Sequence, residues 1–254
     1  MKDTDSPLVS IIIPAFNAAR FIRATLESVQ AQTYTNWEAL VVDDCSQDNT
    51  YEIVKELANI DNRIRCFQLT ENSGPAIARN TAIATATGRY IAFLDSDDLW
   101  LPQKLDRQLL FMQAYDIAFS YTQYRRISES GDTCSKLISV PDQIQYWNLL
   151  KNTAVTTSTV VIDRKKTGLF EMVNKGYDDF ILWLYLLKSG FTAFGLQEDL
   201  CRYRIVNNSI SRNKLTAARW VWSIYRQTEK ISPPLALWCF VNYAWRGYWK
   251  NKEY

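Results

Sequence analysis

The sequence predicts an α/β fold in which helices flank a mainly parallel sheet, followed by a C-terminal helical extension. Two observations support this prediction. The first hundred residues alternate short, β-branched apolar runs with stretches of helical periodicity. Each apolar run is also followed directly by polar or turn-forming residues, as expected where parallel strands end at one edge of a sheet. Alternation of this kind produces parallel pairing, with the helices covering the sheet.

Four strands are expected in the first half of the chain. They are placed at residues 8–13, 38–42, 63–69 and 89–94, with helices at 18–30, 50–57 and 75–87 between them. The third helix has Pro75 in its first turn and Gly88 just after its end, which is the usual order of these two residues around a helix. Right-handed connections would bring all four strand ends to the same edge.

The pattern changes after about residue 115. Strands are predicted at 117–127 and 154–162, and the polar segment 128–131 between them is expected to be a loop or a flexible flap. A strongly apolar helix is predicted over 178–188, stopped by Gly190, and two aromatic helical stretches follow, separated by Pro233 and Pro234.

Composition excludes several kinds of active site. The chain of 254 residues contains no histidine, so a Ser-His-Asp or Cys-His apparatus is impossible and carboxylates must do any acid–base work. Its five cysteines are scattered, without a Cys-x-x-Cys pair, which argues against a disulfide framework or a zinc site and favours a reducing cytosol. No signal peptide and no run of about 20 apolar residues is found, so a cytoplasmic protein is expected.

The most informative motif is the acidic turn after the fourth strand. Asp95, Asp97 and Asp98 follow the apolar run 90–94, so three carboxylates are expected at the carboxyl end of a buried strand. Such a cluster favours Mg²⁺ or Mn²⁺, with phosphate oxygens completing the shell, and therefore a nucleotide diphosphate substrate. A helix cap at Asp97 or Asp98, or a solvated acidic loop, is the alternative interpretation.

The other strand ends add candidate binding residues. Phe16 could stack on a base and Asn17 could cap the next helix, while Asp43 and Asp44 could accept hydrogen bonds from a base or a ribose. Ser46 or Asp48 is expected to cap the second helix. The third loop leads into a helix N-terminus and Arg79, which could both face phosphate, although a plain turn with a surface arginine is an alternative.

These segments together resemble glycosyltransferase family 2, the inverting nucleotide-sugar enzymes with the GT-A fold, a Rossmann-like α/β architecture. The resemblance covers roughly the first 190 residues and rests on Val9–Asn17, Val41–Ser46, Asn72–Asn80, Gly88–Asp98 and Asp178–Trp183. The tail, through Ser211–Arg219 and Ile224–Arg226, is similar to the teichuronic-acid type of bacterial surface-polysaccharide transferase. Two positions depart from the family pattern, since Asp178 replaces the usual glutamate and Cys45 stands where glycine is common.

The resemblance implies roles for individual residues. Asp44 would read uracil or another base, Phe16 would line the base pocket, and Asp95 and Asp97, completed by Asp98, would hold ribose and a Mn²⁺ or Mg²⁺ ion. The Asp178-Asp179 pair would supply the catalytic base, with Asp179 favoured because Trp183 lies four residues beyond it. The predicted nucleotide-sugar-binding residues are Pro14, Ala15, Phe16, Asn17, Asp44, Gly74, Pro75, Arg79, Asp95 and Ser96, and the predicted metal ligands are Asp97, Asp95 and Asp98.

The resemblance also implies a division of the chain. Residues 1–205 would form the GT-A catalytic domain, with a nucleotide-sugar-binding half at 1–115 and an acceptor half at 116–205, and residues 206–254 would form the tail. The stretch 201–254 holds ten Lys or Arg, two Glu and five of the nine tryptophans, unlike a uniformly basic nucleic-acid binder. It is expected to lie on the inner face of the plasma membrane, with packing on the catalytic domain or a homo-oligomer interface as alternatives.

The predicted function is metal-dependent, inverting transfer of a sugar, with a UDP-sugar as donor, to a glycan acceptor that is lipid-linked, in the synthesis of a bacterial surface polysaccharide. A sugar nucleotidyltransferase is an alternative, although Pro14–Asn17 lacks the glycine-rich basic loop that such enzymes carry after their first strand. A non-catalytic, membrane-associated assembly protein with a degenerate nucleotide site is another.

Overall fold

A nine-stranded mixed sheet forms the centre of the protein in the computed structural model, which describes residues 6–206 and 214–252. The strands are β1 (Val9–Ala15), β2 (Trp37–Asp43), β3 (Ile64–Gln68), β4 (Tyr90–Phe93), β5 (Leu99–Trp100), β6 (Phe119–Ile127), β7 (Gln143–Ile144), β8 (Val161–Asp163) and β9 (Ala193–Arg204). Their order is β3-β2-β1-β4-β8-β6-β9-β5, and β7 pairs with β9.

The helices cover both faces of this sheet. They are α1 (Ile22–Gln30), α2 (Thr50–Ile60), α3 (Pro75–Thr85), α4 (Lys104–Ala114), α5 (Tyr146–Leu149), α6 (Arg164–Thr167), α7 (Asp178–Lys188), α8 (Lys214–Ser223) and α9 (Pro233–Lys252). A 3₁₀ turn spans Thr157–Thr159, and a π-helical turn, Ile224–Thr228, continues α8. None of the helices in the described parts of the chain is both long enough and apolar enough to cross a bilayer.

The parallel half of the sheet confirms the prediction from the alternating pattern. Strands β1 to β4 are all parallel neighbours, and every residue of β2 and β4 is buried. Continuous apolar runs of this kind are typical of strands covered on both faces. Helix α7 is also confirmed at its predicted bounds. Acidic residues begin it, and Gly190, at φ +97°, lies two residues after its end.

Three details of the prediction are wrong. Helix α1 begins at Ile22, not at residue 18, because Thr50 and Asp48 accept hydrogen bonds from the N–H groups of Ala18 and Ala19. Asn17 therefore caps no helix; its side-chain oxygen accepts from the N–H of Gln47 instead. Asp48 does contribute at α2, since it accepts from the N–H of Thr50, the first helical residue.

The predicted strand at 154–162 is the third difference. The chain forms the 3₁₀ turn Thr157–Thr159 and then only the short strand β8. Its hydroxyl side chains explain this, because Thr157 and Ser158 turn inward to bond to carboxylates instead of continuing a ladder. The long strand β9, which pairs in parallel with β6, was not predicted at all.

The tail packs against the catalytic part of the chain through one of its faces. Val221, Ile224, Tyr225, Ala236 and Cys239 are buried in the same hydrophobic cluster as the inner residues of α7 and the sheet. The hydroxyl of Tyr225 donates to the carbonyl of Leu150. Residues 211–213 of the proposed tail motif lie outside the described residues, as do the side chains of Trp249, Lys250 and Lys252.

Candidate active site

The loops after β1 and β2 are tied together at the carboxyl edge of the sheet. The N–H of Asp44 donates to the carbonyl of Ala15, and the N–H of Asn17 donates to the hydroxyl of Ser46 at 2.9 Å. Asn17 and Cys45 both have positive φ, at 48° and 60°, so the two turns are tight. Phe16, which directly precedes Asn17, is 47% exposed, so its ring is open to a ligand at this edge.

Asp44 is buried and holds the next loop in place. Its two carboxylate oxygens accept hydrogen bonds from the N–H groups of Ser73, at 2.7 Å, and Gly74, at 2.8 Å. Asp43 is also buried, and one of its oxygens has no hydrogen-bond partner among the described atoms. The structure therefore shows Asp44 as an organiser of the loop before α3, and its predicted contact with a base stays a prediction.

Arg79 links two acidic motifs that are far apart in sequence. Gly74, at φ +89°, turns the chain into α3, where Pro75 occupies the first turn and Arg79 lies one turn further along. One guanidinium nitrogen of Arg79 lies 2.8 Å from Asp178, and another lies 2.6 Å from Asp95. Burial alone would lower the pKa of Arg79, but the carboxylates of Asp95, Asp178 and Asp179 raise it, so this arginine is a permanent cation.

The two aspartates of the later motif differ in environment. Asp178 is paired with Arg79, whereas Asp179 accepts from the hydroxyl of Thr157 at 2.5 Å and from the N–H of Phe180 at 2.7 Å. Burial, followed by the neighbouring charge of Asp178, raises the pKa of Asp179. A carboxylate with a raised pKa and no ion pair among the described residues is better suited to take up a proton than one bound to arginine.

The start of α7 fixes the direction of this pair. Tyr177 has the left-handed backbone conformation (φ 43°, ψ 46°), which is uncommon for a residue other than glycine and is characteristic of functional turns. Further along the helix, Trp183 packs on Phe93 and Phe119, with ring centroids 5.4 Å and 5.2 Å away. These edge and tilted contacts stabilise α7 against the sheet, and so hold Asp178 and Asp179 beside the end of β4.

The acidic turn after β4 separates its carboxylates. Asp97 lies beside Asp95, and burial together with this neighbour raises the pKa of Asp97 to about 6. Asp98 points into the interior, where its oxygens accept from the hydroxyl of Ser158, at 2.5 Å, and from the N–H of Arg204, at 2.7 Å. The carbonyl of Ser96 accepts from the hydroxyl of Thr25, which anchors the turn to α1.

This arrangement bears on the predicted metal ligands. Within residues 6–206 and 214–252, no three His, Cys, Asp or Glu side chains converge to hold an ion by themselves. Asp97, in contrast, forms no ion pair with any described Lys or Arg and adjoins a second carboxylate, a combination that suits a divalent cation. Magnesium sites commonly use one or two carboxylates together with substrate phosphates. The residues present therefore fit a cation that is completed by a diphosphate, with Asp98 as a supporting residue.

Several residues of the site were not predicted from the sequence. Ser158 also accepts from the N–H of Asp95, and Arg204 donates to the carbonyl of Asp97 at 2.7 Å and to that of Glu129 at 2.9 Å. Thr157 donates to Asp179, and the ring of Tyr243 packs against that of Phe180, the next residue. The hydroxyl-rich run 156–159 was the available signal for Thr157 and Ser158, whereas Arg204 and Tyr243 have no local motif to mark them.

Comparison with known proteins decides the family. The sequence profile of glycosyl transferase family 2 matches residues 10–177, which include the acidic turn, Arg79 and the turn before α7. The chain belongs to this family. It is therefore a glycosyltransferase.

Two relatives match nearly the whole chain. A Bacillus subtilis protein named as a teichuronic acid biosynthesis glycosyltransferase, TuaG, is 48% identical over 239 residues, covering 94% of this chain and 95% of its own. The Escherichia coli protein WfgD, named as a UDP-Glc:alpha-D-GlcNAc-diphosphoundecaprenol beta-1,3-glucosyltransferase, is 39% identical over 249 residues, covering 97% and 96%. With coverage this high, both matches include most of the tail.

A solved structure confirms the GT-A fold. The mannosyltransferase PcManGT from Pyrobaculum calidifontis, in complex with GDP-Man and Mn²⁺, superposes with a TM-score of 0.69 at 18% identity. The superposition covers 94% of this chain and 69% of that one. At this identity the likeness concerns the fold alone.

Proposed function

We propose that this glycosyltransferase is metal-dependent and inverting, and that it transfers a sugar from a UDP-sugar to a lipid-linked glycan acceptor in the synthesis of a bacterial surface polysaccharide. One observation carries the proposal. Arg79 joins Asp95, at the strand end where nucleotides bind in α/β folds, to Asp178, the neighbour of Asp179. This ion-pair link supports a donor site and a catalytic base at the same edge of the sheet.

The relatives support the donor and the acceptor. WfgD is named for a UDP-glucose donor, a diphosphoundecaprenol-linked acceptor and a β-1,3 linkage, and it matches this chain over almost its full length. A β linkage arises by inversion if the donor is the α-linked nucleotide sugar. A diphosphoundecaprenol acceptor is held in a membrane by its lipid, so we place the reaction at the cytoplasmic face of the plasma membrane.

In the proposed reaction Asp179 is the general base. As the acceptor oxygen forms its bond to the anomeric carbon, the bond from that carbon to the diphosphate oxygen breaks and the diphosphate keeps the electron pair. The acceptor's hydroxyl proton passes to the Asp179 carboxylate. Thr157 orients this carboxylate through its hydrogen bond to Oδ2. General-base assistance of this kind contributes roughly 10²–10⁴-fold to a rate.

The leaving diphosphate needs positive charge. Asp97, together with Asp95, would hold Mn²⁺ or Mg²⁺, which when bound neutralises the developing charge on the diphosphate. Arg79 keeps Asp95 in place and adds a buried positive charge next to it. Asp98 stabilises the acidic turn through its hydrogen bonds with Ser158 and the N–H of Arg204.

A ligand screen tests the proposal. Thermal unfolding would be followed with UDP-, GDP- and dTDP-sugars, each with Mn²⁺ and with EDTA. A ligand present at 100 times its dissociation constant stabilises by about 2.7 kcal/mol, which is easily seen as a shift in Tm. We expect the largest shift with a UDP-sugar and Mn²⁺, and its loss in EDTA and in Asp97→Asn. An equal shift in Tm with every nucleotide sugar would contradict the UDP-sugar donor. A shift in Tm that is unchanged by EDTA would contradict metal dependence.

A further inference from the structure

Helix α9 presents two different faces. One face, which includes Ala236, Cys239 and Tyr243, packs inward on the catalytic part of the chain. The other exposes large apolar side chains: Leu237, Trp238, Val241 and Trp245 are 55%, 53%, 57% and 63% exposed. Their spacing of four residues places Leu237, Val241 and Trp245 along one stripe of the helix.

The inward face reaches the proposed base. The ring of Tyr243 lies 6.0 Å from that of Phe180, the residue after Asp179. A helix with its side chains is about 10–12 Å across, so the exposed stripe is separated from Asp179 by roughly one helix diameter.

The exposed face is accompanied by positive charge. The ammonium group of Lys151 lies 4.5 Å from the ring centroid of Trp238. Trp147, on α5 and four residues before Lys151 in the chain, is 54% exposed. Lys151 and Arg246 line one shallow pocket together with Asn148 and Asn152, a set of hydrogen-bond donors suited to a phosphate group. Glu229, the one acidic residue of the described tail, is already bound to Lys188 and Tyr146.

We propose that this surface, formed by the exposed stripe of α9 with Trp147, Lys151 and Arg246, docks on an anionic lipid bilayer. Tryptophan and apolar side chains would enter the interface while Lys151 and Arg246 bind a lipid phosphate. The inference rests on the proposed function, which it deepens. Docking in this orientation holds Asp179 roughly one helix diameter from the lipid headgroups, so the site would select acceptors whose diphosphate lies at the membrane surface.

The charge on this surface favours a bilayer over a second copy of the chain. The residues of this surface include no Asp or Glu, so two copies joined through it would bury Lys151 and Arg246 of both protomers without acidic partners from the same surface. An anionic membrane supplies the opposite charge across the whole surface. A protein dimer is therefore an outcome that the experiment has to separate from membrane binding.

Vesicle sedimentation tests the proposal with the full chain. The wild type, the double variant Leu237→Glu/Val241→Glu and the control Ile60→Glu/Leu110→Glu would be compared on phosphatidylglycerol–phosphatidylcholine and pure phosphatidylcholine vesicles. In the control, Ile60 on α2 and Leu110 on α4 are 73% and 57% exposed. The control therefore introduces the same two charges on exposed apolar positions outside the proposed docking surface. We expect at least tenfold weaker binding to anionic vesicles for the α9 variant only, and weaker wild-type binding at high salt.

Other outcomes would overturn the docking proposal. The docking proposal is wrong if the wild type does not bind vesicles, or if all three proteins bind them equally. It is also wrong if the wild type is a dimer that Leu237→Glu/Val241→Glu dissociates and no protein binds vesicles. UDP-sugar stabilisation of the same variants separates this proposal from the proposed function. If a UDP-sugar still stabilises the proteins but none of them binds vesicles, only the docking proposal is wrong. If no nucleotide sugar stabilises any of the proteins but the α9 variant loses vesicle binding, only the transferase proposal is wrong.

Discussion

Asp95 and Asp178 share the guanidinium of Arg79, which lies 2.6 Å from the first carboxylate and 2.8 Å from the second. The side chains of Arg79 and Asp178 are both 9% exposed, so this link is made in the interior. It joins the turn after β4 to the start of α7. The position of Asp179 relative to the donor site therefore depends on one arginine.

Replacing Arg79 should destabilise the protein strongly. Arg79→Gln leaves two carboxylates without their cation, and breaking a buried ion pair typically costs about 3–5 kcal/mol. Chemical denaturation measures this loss as a lower midpoint. Arg125→Gln is the control, because Arg125 pairs with Asp199 on the surface and should leave the midpoint near that of the wild type. Equal effects of the two substitutions would contradict a special role for the Arg79 link.

Asp97 and Asp98 should behave differently when substituted. Asp97→Asn is expected to abolish the Mn²⁺-dependent part of UDP-sugar stabilisation. It should not lower the unliganded Tm at neutral pH, because burial of the charged carboxylate raises the pKa of Asp97 and opposes folding there. Asp98→Asn should instead lower the unliganded Tm, because the new amide can accept only one of the hydrogen bonds from Ser158 and Arg204. An unsatisfied buried donor costs about 1–3 kcal/mol. The reverse pattern would make Asp98 a metal ligand, as the sequence predicted.

The activity should fall on the acidic side at a higher pH than an ordinary aspartate would give. Burial and Asp178 raise the pKa of Asp179, so the base takes up its proton, and kcat/KM declines, before the usual aspartate range is reached. A profile of kcat/KM from pH 4 to 8 would show this limb. A profile that stays flat down to pH 4, close to the usual aspartate pKa of about 3.9, would contradict the assignment.

The raised pKa of Asp179 should also make the stability of the protein depend on pH. A folded-state pKa raised above the unfolded value contributes stability that is present at low pH and lost as pH rises through the folded pKa. Asp179→Asn, which cannot ionise, should therefore gain Tm relative to the wild type as pH increases. Thermal scans of both proteins across this range test the sign. A Tm difference independent of pH would show that Asp179 does not titrate with a raised pKa.

The tail should be sensitive to a substitution at Gly176. A Cβ at this position would lie 2.7 Å from the Trp220 ring, and the residue has φ +68°. Gly168→Ala is the matched control, because Gly168 has φ +76° and nothing within 4 Å of a Cβ. Both glycines have positive φ, so each alanine variant carries a backbone cost of about 1–3 kcal/mol. Gly176→Ala should lower Tm further, whereas equal losses would show that Trp220 moves aside freely.

The sequence predicted the parts of the site that depend on local patterns. Buried strands ending in polar residues placed Phe16, Asp44 and Asp95 at one edge, and the acidic start of α7 located Asp179. These features follow from periodicity and from the topology of parallel sheets. The positive φ of Cys45 also explains why glycine is common at its position in the family.

The remaining parts depend on contacts between distant segments. Asp98 turns inward because Ser158 and Arg204 bind it there, and no local pattern distinguishes it from Asp97. The start of α1 is set by Thr50 and Asp48 on the next loop. Tyr243 reaches the site through the docking of α9, whereas the tail's tryptophans suggested only a surface. Each of these arrangements is fixed by tertiary packing.

The transfer reaction itself tests the role of Asp179 most directly, followed by NMR with the UDP-sugar that stabilises the protein and a diphosphate-lipid acceptor. We expect a β-linked product from the α-linked donor, and a rate about 10²–10⁴-fold lower in Asp179→Asn with unchanged donor affinity. Asp178→Asn, assayed in parallel, should disturb donor binding and stability through Arg79. An α-linked product, or an Asp179→Asn variant that turns over like the wild type, would contradict the central claim that Asp179 is the base of an inverting transfer.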